Sequence, residues 1–325
     1  MNASCPDVSG TFAENLEVIL SLVYGTISIC LYFYLIYIIY KNKHFHHPFF
    51  YQFILLSVAN ICLWLSMLVI NRIITHPLAC TFFWPAYKDP TALIKILVLG
   101  YYGSLAVQFF TVSTISINRM TVVLYPLSTP KFWSRFNAYT IEAILLASFF
   151  YSFYLFDWGA YVNLSPVSLR LGVSYAAGWP NIPFVLMAAI LSVACLLVVF
   201  ITTTISLQKL CRSVMYATSS AENNLFWTNI GFSLTTAIIS FYSIAIYIFY
   251  YMAVDVNLAV IIVSLRGFFF DINCLLPPWL LLATNRQIRN RILPGKKKTT
   301  SFQVTAFSQQ RNCALGIVDP DPVDS

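Results

Sequence analysis

Three ionisable side chains stand in stretches of this sequence that are otherwise almost wholly apolar. Arg119 lies within the run SINRMTVVLYP, and Arg266 and Asp271 lie together in a later apolar run. A charge inside such a run is costly unless it faces protein or water, so each of the three is a candidate for function. A guanidinium at this depth can hold a carboxylate ligand, or it can exchange one set of polar partners for another.

Helical spacing places further candidate side chains beside Arg119. Tyr101 and Gln108 precede it by 18 and 11 residues, which at 3.6 residues per turn puts them on the face of the helix that carries the arginine. Tyr101 and Leu105 are then expected to line the outer half of the bundle. The ligand-binding candidates are therefore Tyr101, Leu105, Gln108, Arg266 and Asp271.

Two interpretations of Asp271 stay open. It is five residues from Arg266, so a helix turns the two side chains about 140° apart and makes a direct ion pair awkward. Asp271 either contacts a ligand together with Arg266, or it bonds Asn60, Asn273 or a group of waters as a structural link between helices.

The composition indicates what positions these side chains. Hydrophobic residues make up 59% of the 325 residues, charged residues make up 10%, and the mean hydropathy of +0.74 is typical of a membrane protein. Seven runs reach the roughly 20 apolar residues that a helix needs to cross a bilayer. They are predicted at Leu16–Tyr40, Phe49–Ile74, Leu93–Leu124, Ala138–Phe156, Ile182–Leu207, Leu225–Met252 and Leu258–Leu282. The predicted fold is an all-α membrane protein, a seven-transmembrane helix bundle.

Three parts of the chain follow from these spans. Residues 1–15 form an amino-terminal arm, residues 16–293 form the membrane domain, and residues 294–325 form a tail. The tail begins with three lysines and continues with Thr, Ser and Asp residues, a composition typical of a disordered segment that kinases can modify.

The distribution of basic residues predicts an amino terminus outside the cell and a cytoplasmic tail. In that orientation fourteen of the 19 Lys and Arg residues face the cytoplasm. The two N-x-S/T sequences, at Asn2 and Asn163, then lie outside, where glycosylation takes place. Cys5 and Cys80 also lie outside, and both a disulfide between them and two unbridged thiols stay open.

Several motifs resemble those of G protein-coupled receptors. Asn118-Arg119-Met120, followed by Pro126, is similar to that family's acidic-Arg-Tyr motif at the inner end of the third span. The departure from the pattern is Asn118, which restrains a guanidinium less than a carboxylate does and so predicts raised basal activity.

The second and seventh spans carry further likenesses. Asn60 stands where the second span of such receptors has a buried acid, and Asn273 with Pro277-Pro278 resembles their Asn-Pro-x-x-Tyr region. The segment Asn285–Ile292 resembles the short amphipathic helix that runs along the inner leaflet after the last span, and its basic face suits anionic headgroups.

Within that superfamily the chain is most similar to the nematode serpentine chemoreceptors of the gamma class. The degenerate Asn-Arg-Met, the aromatic bundle, the short loops and the inner loop FHHPFFYQF carry the resemblance, which covers residues 16–293. It implies a receptor in the plasma membrane, with the sensory cilium as a candidate location. The implied partners are the lipid bilayer, a small-molecule ligand in the outer half of the bundle and a heterotrimeric G protein inside, with no nucleic acid and no cofactor. The coupling residues that it implies are Asn118, Arg119, Pro126, Lys131 and Arg135.

A ligand-gated channel or a small-solute transporter of the plasma membrane is the alternative function. A transporter favours inverted repeats and helices broken at mid-depth, and only Pro277-Pro278 offers such a break. An enzyme is not expected, because all four histidines fall in loops or at span ends and leave no inward catalytic or metal-binding cluster.

Overall fold

The computed structural model describes residues 12–42, 45, 47–76, 80–83, 91–126, 128–153, 160–164, 171–175, 182–212, 220–248 and 265–292. One compact unit extends to Arg286, and a second begins at Gln287. The predicted tail and residues 1–11 of the predicted arm lie outside the described residues.

Helices make up nearly all of the described chain. They are α1 (Phe12–Lys41), α2 (Pro48–Leu68) with a π-helical turn after it (Val69–Ile73), α3 (Cys80–Phe83), α4 (Ala92–Leu124), α5 (Thr129–Phe153), α6 (Ile182–Arg212), α7 (Ser220–Ile246), α8 (Arg266–Leu275), α9 (Pro277–Thr284) and α10 (Arg286–Ile292). The helix predicted after the last span is thus present as α10. Six segments of the described chain are long and apolar enough to cross a membrane, namely α1, α2 with its π turn, α4, α6, α7 and α8 with α9.

The remaining predicted span corresponds to α5, a helix of 25 residues that is not among these six segments. Together these seven segments confirm the predicted serpentine helical bundle. The predicted start of the fourth span at Ala138 is wrong, because α5 begins nine residues earlier, at Thr129. Lys131 and Arg135 therefore lie on the first turns of α5 and not in a loop between spans. From these turns a helix can project basic side chains into the headgroup layer.

Hydrogen bonds explain the early start of α5. The hydroxyl of Thr129 donates to the carbonyl oxygens of Thr121, at 2.8 Å, and Tyr125, at 2.5 Å. The indole Nε1 of Trp133 donates to Thr121 Oγ1 at 2.8 Å. These bonds fold the start of α5 back onto the end of α4, so the connection between the two spans is short.

A β-hairpin that the sequence analysis did not predict lies between α5 and α6. Strand β1 (Ala160–Leu164) pairs antiparallel with β2 (Leu171–Tyr175), with Ala160 opposite Tyr175 and Leu164 opposite Leu171. Val162 is fully buried and joins the same core cluster as the aromatic side chains of α4. The hairpin therefore packs on the helices at one end of the bundle.

Helix α4 is the central element, because it packs against α2, α5, α6 and α7. Its first turns and those of α1 and α8 lie at one end of the bundle, which we call the amino-terminal end. Arg119, near the last turn of α4, marks the opposite end, which we call the Arg119 end. Tyr101, Leu105 and Phe109 of α4 lie in the main core cluster, which extends from mid-depth to the amino-terminal end.

A glycine sets the approach of α1 to α2. A Cβ atom at Gly25 would overlap the indole ring of Trp64. Only glycine lets the two backbones come close enough for that indole to reach across α1, since any other side chain would displace it. The close approach also places the neighbouring Tyr24 beside the start of α8.

The seventh span keeps its course through its double proline. Leu276 has helical dihedral angles (φ −75°, ψ −34°) and donates its backbone N–H to the carbonyl oxygen of Ile272 at 3.1 Å. Leu280 donates to Leu276 in turn at 3.0 Å. Pro277 and Pro278 remove two backbone donors at the start of α9, where a helix leaves its first N–H groups unpaired in any case.

Candidate functional site

Asp271 of α8 accepts hydrogen bonds from three side chains of two other spans. Arg72, in the π turn after α2, donates from Nη1 to Oδ1 at 3.1 Å and from Nη2 to Oδ2 at 2.5 Å, which is a two-pronged ion pair. Trp64 of α2 donates from Nε1 to Oδ1 at 3.1 Å. The hydroxyl of Tyr24 in α1 donates to Oδ2. One carboxylate thus joins the first, second and seventh spans.

This ion pair is buried. The side chains of Asp271 and Arg72 are 4% and 6% exposed. Glu17 also lies 3.4 Å from Arg72 Nε, but its side chain is 57% exposed and its charge is screened by solvent. Asp271 therefore has its counter-ion within the protein, and Arg72 has two acidic neighbours.

Local backbone features aim Arg72 at Asp271. The π turn Val69–Ile73 winds more widely than an α-helix, and such turns rotate the side chains that follow out of the regular helical phase. Gly267 of α8 then leaves room for the guanidinium, because a Cβ atom there would lie 2.8 Å from Arg72 Nη2.

Arg72 was not among the predicted site residues, although it lies within the predicted second span. The predicted partners of Asp271 were a ligand shared with Arg266, or Asn60, Asn273 or a group of waters. The structure pairs it with Arg72 instead. A usable signal was present, since Arg72 and Asp271 are charges of opposite sign within two predicted apolar spans.

The two asparagines predicted in the polar core form a separate layer near mid-depth. Asn60 donates from Nδ2 to the hydroxyl of Tyr32 at 2.8 Å, and that hydroxyl donates to the backbone carbonyl of Cys274 at 2.7 Å. Asn273 donates from Nδ2 to Gln108 Oε1 at 2.9 Å. All of these side chains are buried, so this layer ties α8 to α1, α2 and α4.

Arg266, the first residue of α8, lies against aromatic rings. Its guanidinium carbon is 5.4 Å from the ring centroid of Tyr101 and 5.9 Å from that of Phe270. Tyr242 of α7 continues the cluster, with its ring centroid 6.1 Å from that of Phe270. Such ring faces attract a cation.

The five predicted ligand candidates therefore separate into groups. Tyr101 and Arg266 are in contact, and Leu105 is buried in the same core cluster. Gln108 lies in the mid-depth layer with Asn273, and Asp271 faces Arg72.

At the opposite end, Arg119 begins a relay of side chains across three spans. Arg119 is 3% exposed, and its guanidinium carbon lies 4.8 Å from the ring centroid of Phe49. Its Nη2 donates to Asn118 Oδ1 at 3.5 Å, and Asn118 Nδ2 donates to Gln52 Oε1 at 3.2 Å. Gln52 Nε2 donates in turn to Asn137 Oδ1 at 3.4 Å. The relay connects α4, α2 and α5.

Two further hydrogen bonds connect α7 and α9 at this end. Ser116 of α4 donates to Asn229 Oδ1 of α7 at 3.0 Å, and Thr228 of α7 and Thr284 of α9 share a hydrogen bond of 2.5 Å.

Burial, and then the charge of Arg119, lower the pKa of His47 to about 4, so this imidazole is neutral near pH 7.

The other predicted site residues are spread over the chain. Pro126 follows α4 and is exposed, as are Lys131 and Arg135 on α5. Asn163 lies in β1 opposite Gly172, and Cys80 begins α3. Asn2 and Cys5 lie outside the described residues, so whether Cys5 is bridged to Cys80, which the sequence leaves open, falls outside them too.

Removing one partner of the buried ion pair should destabilise the protein strongly. We expect Asp271→Asn and Arg72→Gln each to cost about 3–5 kcal/mol, because each leaves one buried charge without its counter-ion. The melting temperature of the purified protein in detergent measures this loss. Glu17→Gln is the matched control, and its exposed carboxylate should contribute at most about 1 kcal/mol. Equal losses from Glu17→Gln and Asp271→Asn would contradict the assignment.

Comparison with known proteins identifies the family to which this helical bundle belongs. Residues 18–292 match the family described as Srg family chemoreceptor. Serpentine receptor class gamma-5 of Caenorhabditis elegans is 26% identical over 308 residues, which cover 90% of this chain and 91% of that protein. Serpentine receptor class gamma-20 of the same organism is 24% identical over 313 residues, which cover 94% and 88%. The resemblance inferred from the sequence motifs is thereby confirmed, and this chain belongs to the Srg family of chemoreceptors.

Proposed function

We propose that this chemoreceptor binds a small molecule in the amino-terminal half of its bundle and signals to a heterotrimeric G protein at the Arg119 end. The observation that carries the proposal is the relay from Arg119 through Asn118 and Gln52 to Asn137, which joins three spans by hydrogen bonds between side chains. Bonds of this kind can be exchanged for others when helices shift.

Helix α4 is the element that connects the two sites. Tyr101 near its first turns contacts Arg266, Gln108 at mid-depth contacts Asn273 of α8, and Arg119 lies near its last turn. A ligand that contacts Tyr101 and α8 more favourably in one arrangement of the helices shifts the population toward that arrangement. Movement of α4 against α8 would then release Arg119 toward the G protein.

The proposed orientation has the amino-terminal end outside the cell and the Arg119 end in the cytoplasm. Pro126, Lys131 and Arg135 are exposed at the Arg119 end, where they would meet the G protein. In the plasma membrane this orientation makes Asn2 and Asn163 available for glycosylation and places Cys5 and Cys80 where they can be oxidised.

Removing the guanidinium of Arg119 should abolish coupling. In reporter cells that carry an amino-terminal tag, we expect Arg119→Ala to lower ligand-dependent G protein activation about 10- to 100-fold, as for the loss of a charge-assisted hydrogen bond. The readout is activation across a library of small molecules, at equal surface delivery. Lys41→Ala is the matched control, because Lys41 is an exposed cation at the same end that lies over the ring of Tyr37. A current or uptake that survives Arg119→Ala and needs no G protein would make the protein a channel or transporter.

Restoring an acid beside Arg119 should quiet the receptor. We expect Asn118→Asp to lower basal signalling about fivefold, because a carboxylate holds a guanidinium more strongly than an amide oxygen does. Basal nucleotide exchange on the G protein measures the effect, and Asn118→Gln, which keeps a neutral amide, is the control. Unchanged or raised basal exchange in Asn118→Asp would contradict the proposed restraint on Arg119.

A further inference from the structure

The guanidinium of Arg266, at the start of α8, forms no ion pair with a described residue. The acidic side chains of Asp271 and Glu17 both lie against Arg72 instead. A positive charge without an acidic neighbour among the described residues therefore stands at the start of α8.

Aromatic contacts do not remove this charge. The rings of Tyr101 and Phe270 attract the Arg266 guanidinium through their electron-rich faces, but they carry no net charge. A guanidinium among apolar groups gains most from an anion that it can grip with two parallel hydrogen bonds. The side chain of Arg266 keeps part of its surface exposed.

A second polar group in the same cluster points the same way. The ring of Tyr242 packs on Phe269 and Phe270 and is 5% exposed. Its hydroxyl is buried, and no described residue offers it a hydrogen-bond partner. A buried hydroxyl without a partner costs free energy, and a ligand oxygen that accepts its proton would recover that cost. Tyr242 and Arg266 lie against the same ring, because the centroid of Phe270 is 6.1 Å from that of Tyr242 and 5.9 Å from the Arg266 guanidinium carbon.

We propose that Arg266 and Tyr242 form an anion subsite and that the ligands of this receptor are organic acids. The carboxylate accepts from the Arg266 guanidinium and the Tyr242 hydroxyl, and its apolar body packs on Tyr101 and Phe270. The inference rests on the proposed ligand-binding function and adds the ligand's chemical class. Cationic ligands are disfavoured, because Arg266 repels them.

Binding without signalling provides the test. The probes are 4-phenylbutanoate, its neutral primary amide and 4-phenylbutylamine, each added at millimolar concentration to the full-length protein in lipid nanodiscs. We expect the carboxylate to raise the melting temperature by about 2–4 °C, as a ligand several-fold above its dissociation constant does, and the amide and amine to leave it unchanged. Equal shifts with carboxylate and amide, or no shift with the carboxylate, would overturn the subsite.

Variants assign the effect to the named side chains. Arg266→Gln should abolish the carboxylate shift, Arg266→Lys should retain part of it because the charge remains, and Tyr242→Phe should reduce it while keeping the ring. Lys41→Gln is the matched control, because Lys41 Nζ lies 5.4 Å from the ring centroid of Tyr37, the same distance as between Arg266 and Tyr101. A full carboxylate shift in both Arg266→Gln and Tyr242→Phe would overturn the assignment.

One acidic residue outside the described part of the chain requires its own variant. Asp255 precedes Arg266 by eleven residues. If Asp255 were the counter-ion of Arg266, 4-phenylbutanoate would raise the melting temperature of Asp255→Asn but not that of the wild type. That result would overturn the anion subsite, because Arg266 would then belong to an internal ion pair. Failure of the anion subsite leaves signalling through Arg119 intact, whereas loss of G protein signalling leaves the carboxylate shift unchanged.

Discussion

The buried ion pair between Arg72 and Asp271 constrains how the spans of this bundle can be arranged. A carboxylate and a guanidinium at this depth must remain paired, because each would otherwise stand desolvated and uncompensated. The pairing fixes the end of the second span against the start of the seventh, and the hydroxyl of Tyr24 adds the first span. Gly25 and Gly267 serve the same contact, since one lets Trp64 reach the carboxylate and the other leaves room for Arg72.

With three spans fixed at the amino-terminal end, the rest of the bundle has two further polar layers along α4. The mid-depth layer joins Gln108 to Asn273, and the layer at the Arg119 end joins Asn118 to Gln52. About 27 Å of helix separates Tyr101 from Arg119 at 1.5 Å per residue. The hydrogen bonds of these layers join α4 to its neighbours, while the ion pair joins the second and seventh spans. In the proposed mechanism the hydrogen bonds exchange when the helices shift, and the ion pair stays formed.

The sequence was sufficient for the helical bundle, because apolar runs of span length are a strong signal, and it placed Arg119, Asn60 and Asn273 within helices, where their side chains are buried. It did not reveal the partner of Asp271, since the π turn at Val69–Ile73 breaks the regular phase on which facing side chains are predicted. The start of α5 was misplaced because basic side chains resemble a loop signal. The hairpin was missed because its strands, Ala160–Leu164 and Leu171–Tyr175, are each five residues long and are stabilised by tertiary packing of Val162.

A double-mutant cycle on Arg72 and Asp271 tests most directly whether this pair holds the spans together. The melting temperatures of Arg72→Met, Asp271→Leu and the double variant would be compared with that of the wild type. The account predicts that the double variant is more stable than either single variant, because neither charge is then left buried alone. Losses of stability that simply add in the double variant would mean that the two side chains are not coupled, and the central claim would be wrong.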